Sequence, residues 1–256
     1  MHASISKSFA GDNFPAPGGK ESHETFCREE TFVSRMAEPV LTARELWKSY
    51  DGRSDVLRGA SLDVGREETV LVWGANGSGK TTLLSILGGL DVPTRGSVTI
   101  AGREISRLRE SELSKVRLHD VGFVFQTHNL IDDLTVEENV ALPLRLARRP
   151  ADERTSELLR AFDLTRLATR RPKEISVGES QRVAVARSLA NGPKILLADE
   201  PTASLDAKGT AAVLEAFALA RTSFNAAIVL ASHDPEVRGI PASAYRLEDG
   251  VLSRDG

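Results

Sequence analysis

Residues 68–90 (ETVLVW, then GANGSGKTT, then LLSILGGL) constrain this chain more than any other stretch. ETVLVW is a continuous apolar run, the pattern of a strand buried on both faces of a parallel sheet. It enters a glycine loop directly, and the apolar spacing after the loop is helical. In that order the three pieces form a phosphate-binding turn. Gly74, Gly77 and Gly79 let the backbone wrap tightly and aim its N–H groups at an anion. The helix that follows adds the positive end of its dipole. Lys80 is placed to reach β- and γ-phosphates, and the Thr81 hydroxyl suits Mg2+. Ala75, Asn76, Ser78 and Thr82 complete the expected phosphate-binding set.

Two later strands supply the partners that such a loop needs. KILLADEPTASLD (194–206) ends an apolar run at Asp199 and Glu200. Alone, an Asp-Glu pair after such a run is usually a solvated turn. Beyond a phosphate loop it reads as a Mg2+ carboxylate, Asp199, and a base for the attacking water, Glu200. Adjacent strand residues point to opposite faces, so the turn at Pro201 is expected to bring both carboxylates to one site. AAIVLAS (226–232) ends at His233, which isolated would be an ordinary surface or core histidine. At the carboxyl edge of a parallel sheet it reads as a γ-phosphate sensor. His2, His23, His119 and His128 have no comparable context, and Trp73 reads as a large core side chain.

Composition removes several alternatives. With 256 residues, 41% hydrophobic and 27% charged, the chain has the make-up of a globular protein with a sizeable core. A net charge of −3 gives no basic face for nucleic acid, and no apolar run of about eighteen residues could span a bilayer. The single cysteine, Cys27, excludes an intrachain disulfide and fits a reducing compartment. Residues 1–36 mix Gly, Pro, Ser and charge without periodicity or an apolar signal core, and are expected to form a disordered tail. The folded domain is then expected over 37–256, and Met36, followed by AEPVLTARELW, reads as an alternative start.

Taken in order, six motifs resemble those of the nucleotide-binding domain of an ABC transporter, from about Val40 to Gly256. They are Tyr50 in WKSYDG, the phosphate loop, Gln126 in VGFVFQ, the run at 175–179, DEPTASLD, and His233. The resemblance implies that Tyr50 stacks on adenine and that the nucleotide is ATP. It implies that Gln126 contacts Mg2+ and the attacking water, and that Ser204-Leu205-Asp206 speaks across a dimer interface. It implies an α/β fold: a RecA-like P-loop NTPase core, an antiparallel β subdomain from 40–66 and 97–102, and an inserted helical subdomain at about 127–178. ADERTSELLRAFDL (151–164) supports the helical part independently, with Leu158, Leu159 and Phe162 on one face. RLEDGVL (246–252) reads as a short terminal strand with a turn at Asp249-Gly250.

GFVFQTHNLIDDLTVEENVALPL (122–144) is similar to ATPases of the lipoprotein-releasing and macrolide-export group. The resemblance therefore implies an ATP hydrolase that dimerises with a copy or a relative. It would serve separate integral-membrane permease subunits at the cytoplasmic face of the inner membrane, for export or for lipid or lipoprotein extraction. Signalling to envelope or division machinery through a membrane partner is the alternative. Ala203 and Ser204 stand where the family usually shows Gly and Asn, a change of little mechanistic weight, and one motif departs further. Where Leu-Ser-Gly-Gly-Gln is usual, this chain has Ile175-Ser176-Val177-Gly178-Glu179. Ser176 and Gly178 keep the hydroxyl and bare backbone expected to meet a phosphate. Val177 would be strained if its position required positive φ, and Glu179 adds negative charge near that phosphate.

Overall fold

Strands buried on both faces leave their backbone groups nowhere to go but into neighbouring strands, with helices covering the faces. The computed structural model describes residues 38–234, 237 and 243–255 and arranges the chain in that way. The expected tail at 1–36, with Cys27, lies outside the described residues. The first elements are β1 (Leu41–Ser49), β2 (Asp55–Val64), β3 (Thr69–Trp73), α1 (Lys80–Leu87), β4 (Arg95–Ile100), β5 (Arg103–Glu104), α2 (Glu110–His119) and β6 (Val121–Val124). Then come α3 (Val136–Leu146), α4 (Asp152–Ala161), α5 (Val177–Ser188), β7 (Ile195–Asp199), α6 (Ala207–Phe224), β8 (Ala227–Ser232), β9 (Ser243–Glu248) and β10 (Val251–Arg254).

Two sheets result. One is antiparallel, ordered β2-β1-β4-β5, and the other is ordered β10-β9-β3-β8-β7-β6. In the second, β9, β3, β8, β7 and β6 run parallel, and β10 returns antiparallel along β9. Leu71, Leu196, Leu197, Val229 and Leu230 are each at most 2% exposed, which accounts for the unbroken apolar runs of β3, β7 and β8. One core joins the antiparallel sheet, α1 and α2 to this sheet; the other lies under α3 to α6. The chain closes in a β9–β10 hairpin, so the terminal strand expected at 246–252 is a pair. Its turn residues Asp249 and Gly250 have φ of 47° and 79°, the two positive values that a tight two-residue hairpin turn needs. The Gly250 carbonyl accepts from Arg58 N–H at 2.8 Å, stitching the hairpin to β2.

Between residues 127 and 178 lie α3, α4 and two short 3-10 turns, Thr165–Leu167 and Pro172–Glu174. Leu158, Leu159 and Phe162 are all buried there. A buried Asn139 holds the entry to this region. Its amide donates to the carbonyls of Ile131, Leu134 and Thr135, and its oxygen accepts from Ile131 N–H. Four bonds to one buried side chain fix the path from β6 into α3. Among the described residues, no helix is long and apolar enough to cross a membrane.

Candidate functional site

The register of the parallel strands sets the site. Trp73 pairs with Ser232 and Asp199 with Ala231, so β3, β7 and β8 end in one row. The phosphate loop, Asp199-Glu200 and His233 therefore leave the sheet side by side at its carboxyl edge, where such sheets bind ligands.

Each glycine of the loop answers a different demand. A side chain at Gly74 would meet the Leu247 carbonyl oxygen of β9 at 2.3 Å, so glycine there lets the terminal hairpin pack. Gly79 caps α1 with a φ of 105°, a conformation closed to other residues. At Gly77 a Cβ would meet nothing within 4 Å, leaving open space at the loop's surface. Lys80 is only 6% exposed and curls back over the loop, donating to the carbonyls of Gly74 (2.9 Å) and Ala75 (3.1 Å).

The same ammonium lies 3.2 Å from Glu200 Oε1. The other carboxylate oxygen accepts from His233 backbone N–H at 3.3 Å and lies 2.8 Å from His233 Nδ1. Glu200 reaches this position through its own backbone. It takes φ of 47° while its N–H continues the ladder to Ala231. The bend expected at Pro201 thus begins one residue earlier. A left-handed, non-glycine residue costs on the order of 1 kcal/mol, and here it turns two adjacent carboxylates to one side.

Asp199 lies beside the Thr81 side chain, and its Oδ1 is buried without a hydrogen-bond partner. Burial, aided by the neighbouring Glu200 charge, raises its carboxyl above the ordinary range, against the opposing influence of the Thr81 hydroxyl and Lys80. A hard divalent cation fits this donor set, since it prefers oxygen ligands and would satisfy the orphaned atom. Among the described residues no cluster of three or more His, Cys, Asp or Glu could hold a metal alone. Such an ion would therefore need further oxygens from a bound phosphate. Ser78 Oγ, in the loop itself, is a second buried oxygen without a hydrogen-bond partner.

Tyr50 is 65% exposed, and its hydroxyl lies 3.5 Å from Thr82 Oγ1. Gln126 is exposed in the turn that follows β6. Trp73 departs from the sequence expectation: it is half-buried rather than core, its indole N–H donating to Asp255 at 2.8 Å and its ring lying under Arg246. It opens a cleft of about 390 Å³ between the phosphate loop and the terminal hairpin.

Ser176 and Gly178 stand elsewhere. They line a cleft of about 560 Å³ with Ser204, Leu205 and Asp206, and this cleft shares no lining residue with the one at the phosphate loop. Ser176 caps α5 by accepting from Glu179 N–H, and Glu179 returns the bond to Ser176 N–H at 3.0 Å, a reciprocal cap. Arg166 binds the other Glu179 oxygen at 2.7 Å. The bonds from Ser176, with the Arg166 pairing, lower the Glu179 carboxyl below the usual range. Its charge is thus engaged with its own helix and a guanidinium. Val177 begins α5 outside the positive-φ set and is 48% exposed, so the strain considered for it does not arise. At Gly178 a side chain would meet only Gly209 Cα, at 3.7 Å. Among the described residues, nothing demands that glycine.

Sequence reasoning missed Gln181 and Arg187 on α5. Arg187 donates to the carbonyls of His128 and Asn129, both at 2.7 Å. Gln181 donates to the Phe125 carbonyl and lies 3.2 Å from His128 Nδ1. They tie the segment around Gln126 to the helix that Ser176 caps.

Comparison with known proteins agrees with this geometry. The family described as ABC transporter matches residues 57–203. The lipoprotein-releasing system ATP-binding protein LolD of Alcanivorax borkumensis is 40% identical over 222 residues, covering 84% of this chain and 97% of that protein. The bacitracin export ATP-binding protein BceA of Halalkalibacterium halodurans is 37% identical over 83% of this chain and 87% of its own. Among solved structures, the dimeric post-hydrolysis state of the ATP-binding cassette MJ0796, bound to ADP and Pi, superposes with a TM-score of 0.76. It is 36% identical and is covered over 97% of its length by 84% of this chain.

Proposed function

This chain belongs to the ABC transporter family, and we propose that it works as one half of a pair closed by nucleotide. It is an ATP-binding subunit that hydrolyses ATP and acts with a membrane partner. The observation that carries the residue assignment is Glu200: one carboxylate touches both the phosphate-loop lysine and His233.

In this reading Lys80 transfers its ammonium from the loop carbonyls to the β- and γ-phosphates, and the N–H groups of 74–82 take the remaining charge. Losing Lys80 frees Glu200 to orient or deprotonate the attacking water, while His233 holds its other oxygen and senses the γ-phosphate. Thr81 and Asp199, with Gln126, would hold Mg2+, which supplies charge neutralisation on the phosphates. Tyr50 stacks on adenine. Ser176 and the bare Gly178 meet the γ-phosphate bound by a second subunit.

The subunit sits at the cytoplasmic face of the inner membrane against separate permease subunits. Its work is export or extraction of a lipid or lipoprotein, which the names of its relatives support. Lys80→Ala tests the site by calorimetric ATP titration. Loss of a buried, charge-assisted contact is expected to weaken binding by at least about 10-fold, and unchanged affinity would refute the assignment.

A further inference from the structure

Tyr50 is the most exposed large side chain near the site, yet it is not free to swing. Its hydroxyl donates to Asp91 Oδ2 at 2.9 Å. The other Asp91 oxygen accepts from Lys48 Nζ at 2.6 Å, and Lys48 also donates to the Val92 carbonyl at 2.8 Å. The same ammonium lies 4.7 Å from the centre of the Tyr50 ring. Lys48 is 9% exposed, a burial that lysine rarely reaches unless paired.

The three residues come from two parts of the fold. Lys48 lies in β1 and Tyr50 just beyond its end, whereas Asp91 follows the phosphate-loop helix α1. The Lys48–Asp91 pair therefore ties the antiparallel sheet to the element that carries the phosphate loop. Tyr50 is clamped at that tie, by its hydroxyl at one end and by a cation on one face.

We infer that Lys48 and Asp91 are positioning residues that hold Tyr50 as a rigid platform for the base, at a fixed distance from the phosphate cradle. The inference rests on the reading of Tyr50 as the adenine-stacking residue and goes one step past it. With Lys48 against one face of the ring, the opposite face is the one left for a base. An ammonium behind the ring draws π density from it, which lessens repulsion between ring and purine clouds. A ring already fixed also loses less rotamer freedom on binding than a swinging one.

The test compares two ligands on the intact chain: Mg-ATP, and inorganic tripolyphosphate, which has no base. Their affinity ratio isolates stacking from phosphate binding. Tyr50→Ala removes the platform and is expected to lower ATP affinity about 5- to 150-fold, the range of base–aromatic stacking, with tripolyphosphate unchanged. Tyr50→Phe keeps the ring, the fold and the Lys48–Asp91 pair but cuts the tether. It is expected to lower ATP affinity by about 2- to 10-fold, again sparing tripolyphosphate. Asp91→Asn, which retains hydrogen bonding without the charge, is expected to fall between wild type and Tyr50→Ala in the same ratio. A wild-type ratio in Tyr50→Phe and Asp91→Asn beside a lowered ratio in Tyr50→Ala would overturn the positioning role while leaving the stacking role intact. A wild-type ratio in Tyr50→Ala would overturn both. A fall in affinity for both ligands alike in Asp91→Asn would mark the pair as a structural tie only, and would equally overturn the inference.

Discussion

At the scale of single residues, the proposed chemistry depends on where Glu200 points. Its carboxylate is held between Lys80 and His233, and the left-handed backbone that puts it there has no signature in the sequence. Glu200→Gln keeps the size and the hydrogen bonding to His233 but cannot take a proton. ATP turnover is expected to fall about 10²- to 10⁴-fold with ATP affinity retained; turnover at the wild-type rate would exclude Glu200 as the base. The place of this residue was legible, because an Asp-Glu pair ending a buried strand was expected to reach the carboxyl edge beside the phosphate loop. Its conformation was not, since positive φ at a non-glycine residue is set by tertiary packing. The reverse holds at Val177. Its letter suggested strain, and the helix that starts at that residue removes the question.

At the scale of elements, periodicity identified what packs and said little about what is tied to what. The runs in β3, β7 and β8 announced a parallel sheet, and the face of α4 announced its own burial. Arg187 sits in SQRVAVARSLA, where a charge every few residues reads as a solvated face. Only the folded chain brings its guanidinium onto two carbonyls of a left-handed turn, His128 with φ of 47° and Asn129 with φ of 45°. That turn begins two residues after Gln126, so α5 and the Gln126 segment are expected to move as one body. Arg187→Ala removes both bonds from the carbonyls of two strained residues. It is expected to destabilise the fold by about 2–3 kcal/mol, read as a shift in the urea midpoint. ATPase activity should fall further than ATP affinity, because the cradle at 74–82 is untouched. Equal loss of both would separate Arg187 from the Gln126 segment's function.

At the scale of the whole molecule, one chain presents two clefts that share no lining residue, one at the phosphate loop and one at Ser176. The first lies along the phosphate loop, 74–78, against the terminal hairpin; the second presents Ser176 on a capped helix beside a glycine that no contact among the described residues requires. In the proposed reading, a nucleotide on the phosphate loop meets Ser176 of a second copy rather than its own. Two copies related by a two-fold axis each complete the other's site, and the two contacts then close without open-ended growth. The sequence already held this argument in the order of its motifs, but it could not say whether Val177 and Glu179 block the contact. In the fold Val177 is unstrained, and the Glu179 carboxylate is turned to its own cap and to Arg166. Neither change removes the Ser176 hydroxyl or adds bulk at Gly178. Glu200→Gln protein, which should hold ATP without consuming it, is therefore expected to pass from monomer to dimer in light scattering when Mg-ATP is added. A monomer that demonstrably binds ATP would mean that SVGE does not close on a second copy. The pair would then have to form with a different ATPase subunit, or only against the membrane partner.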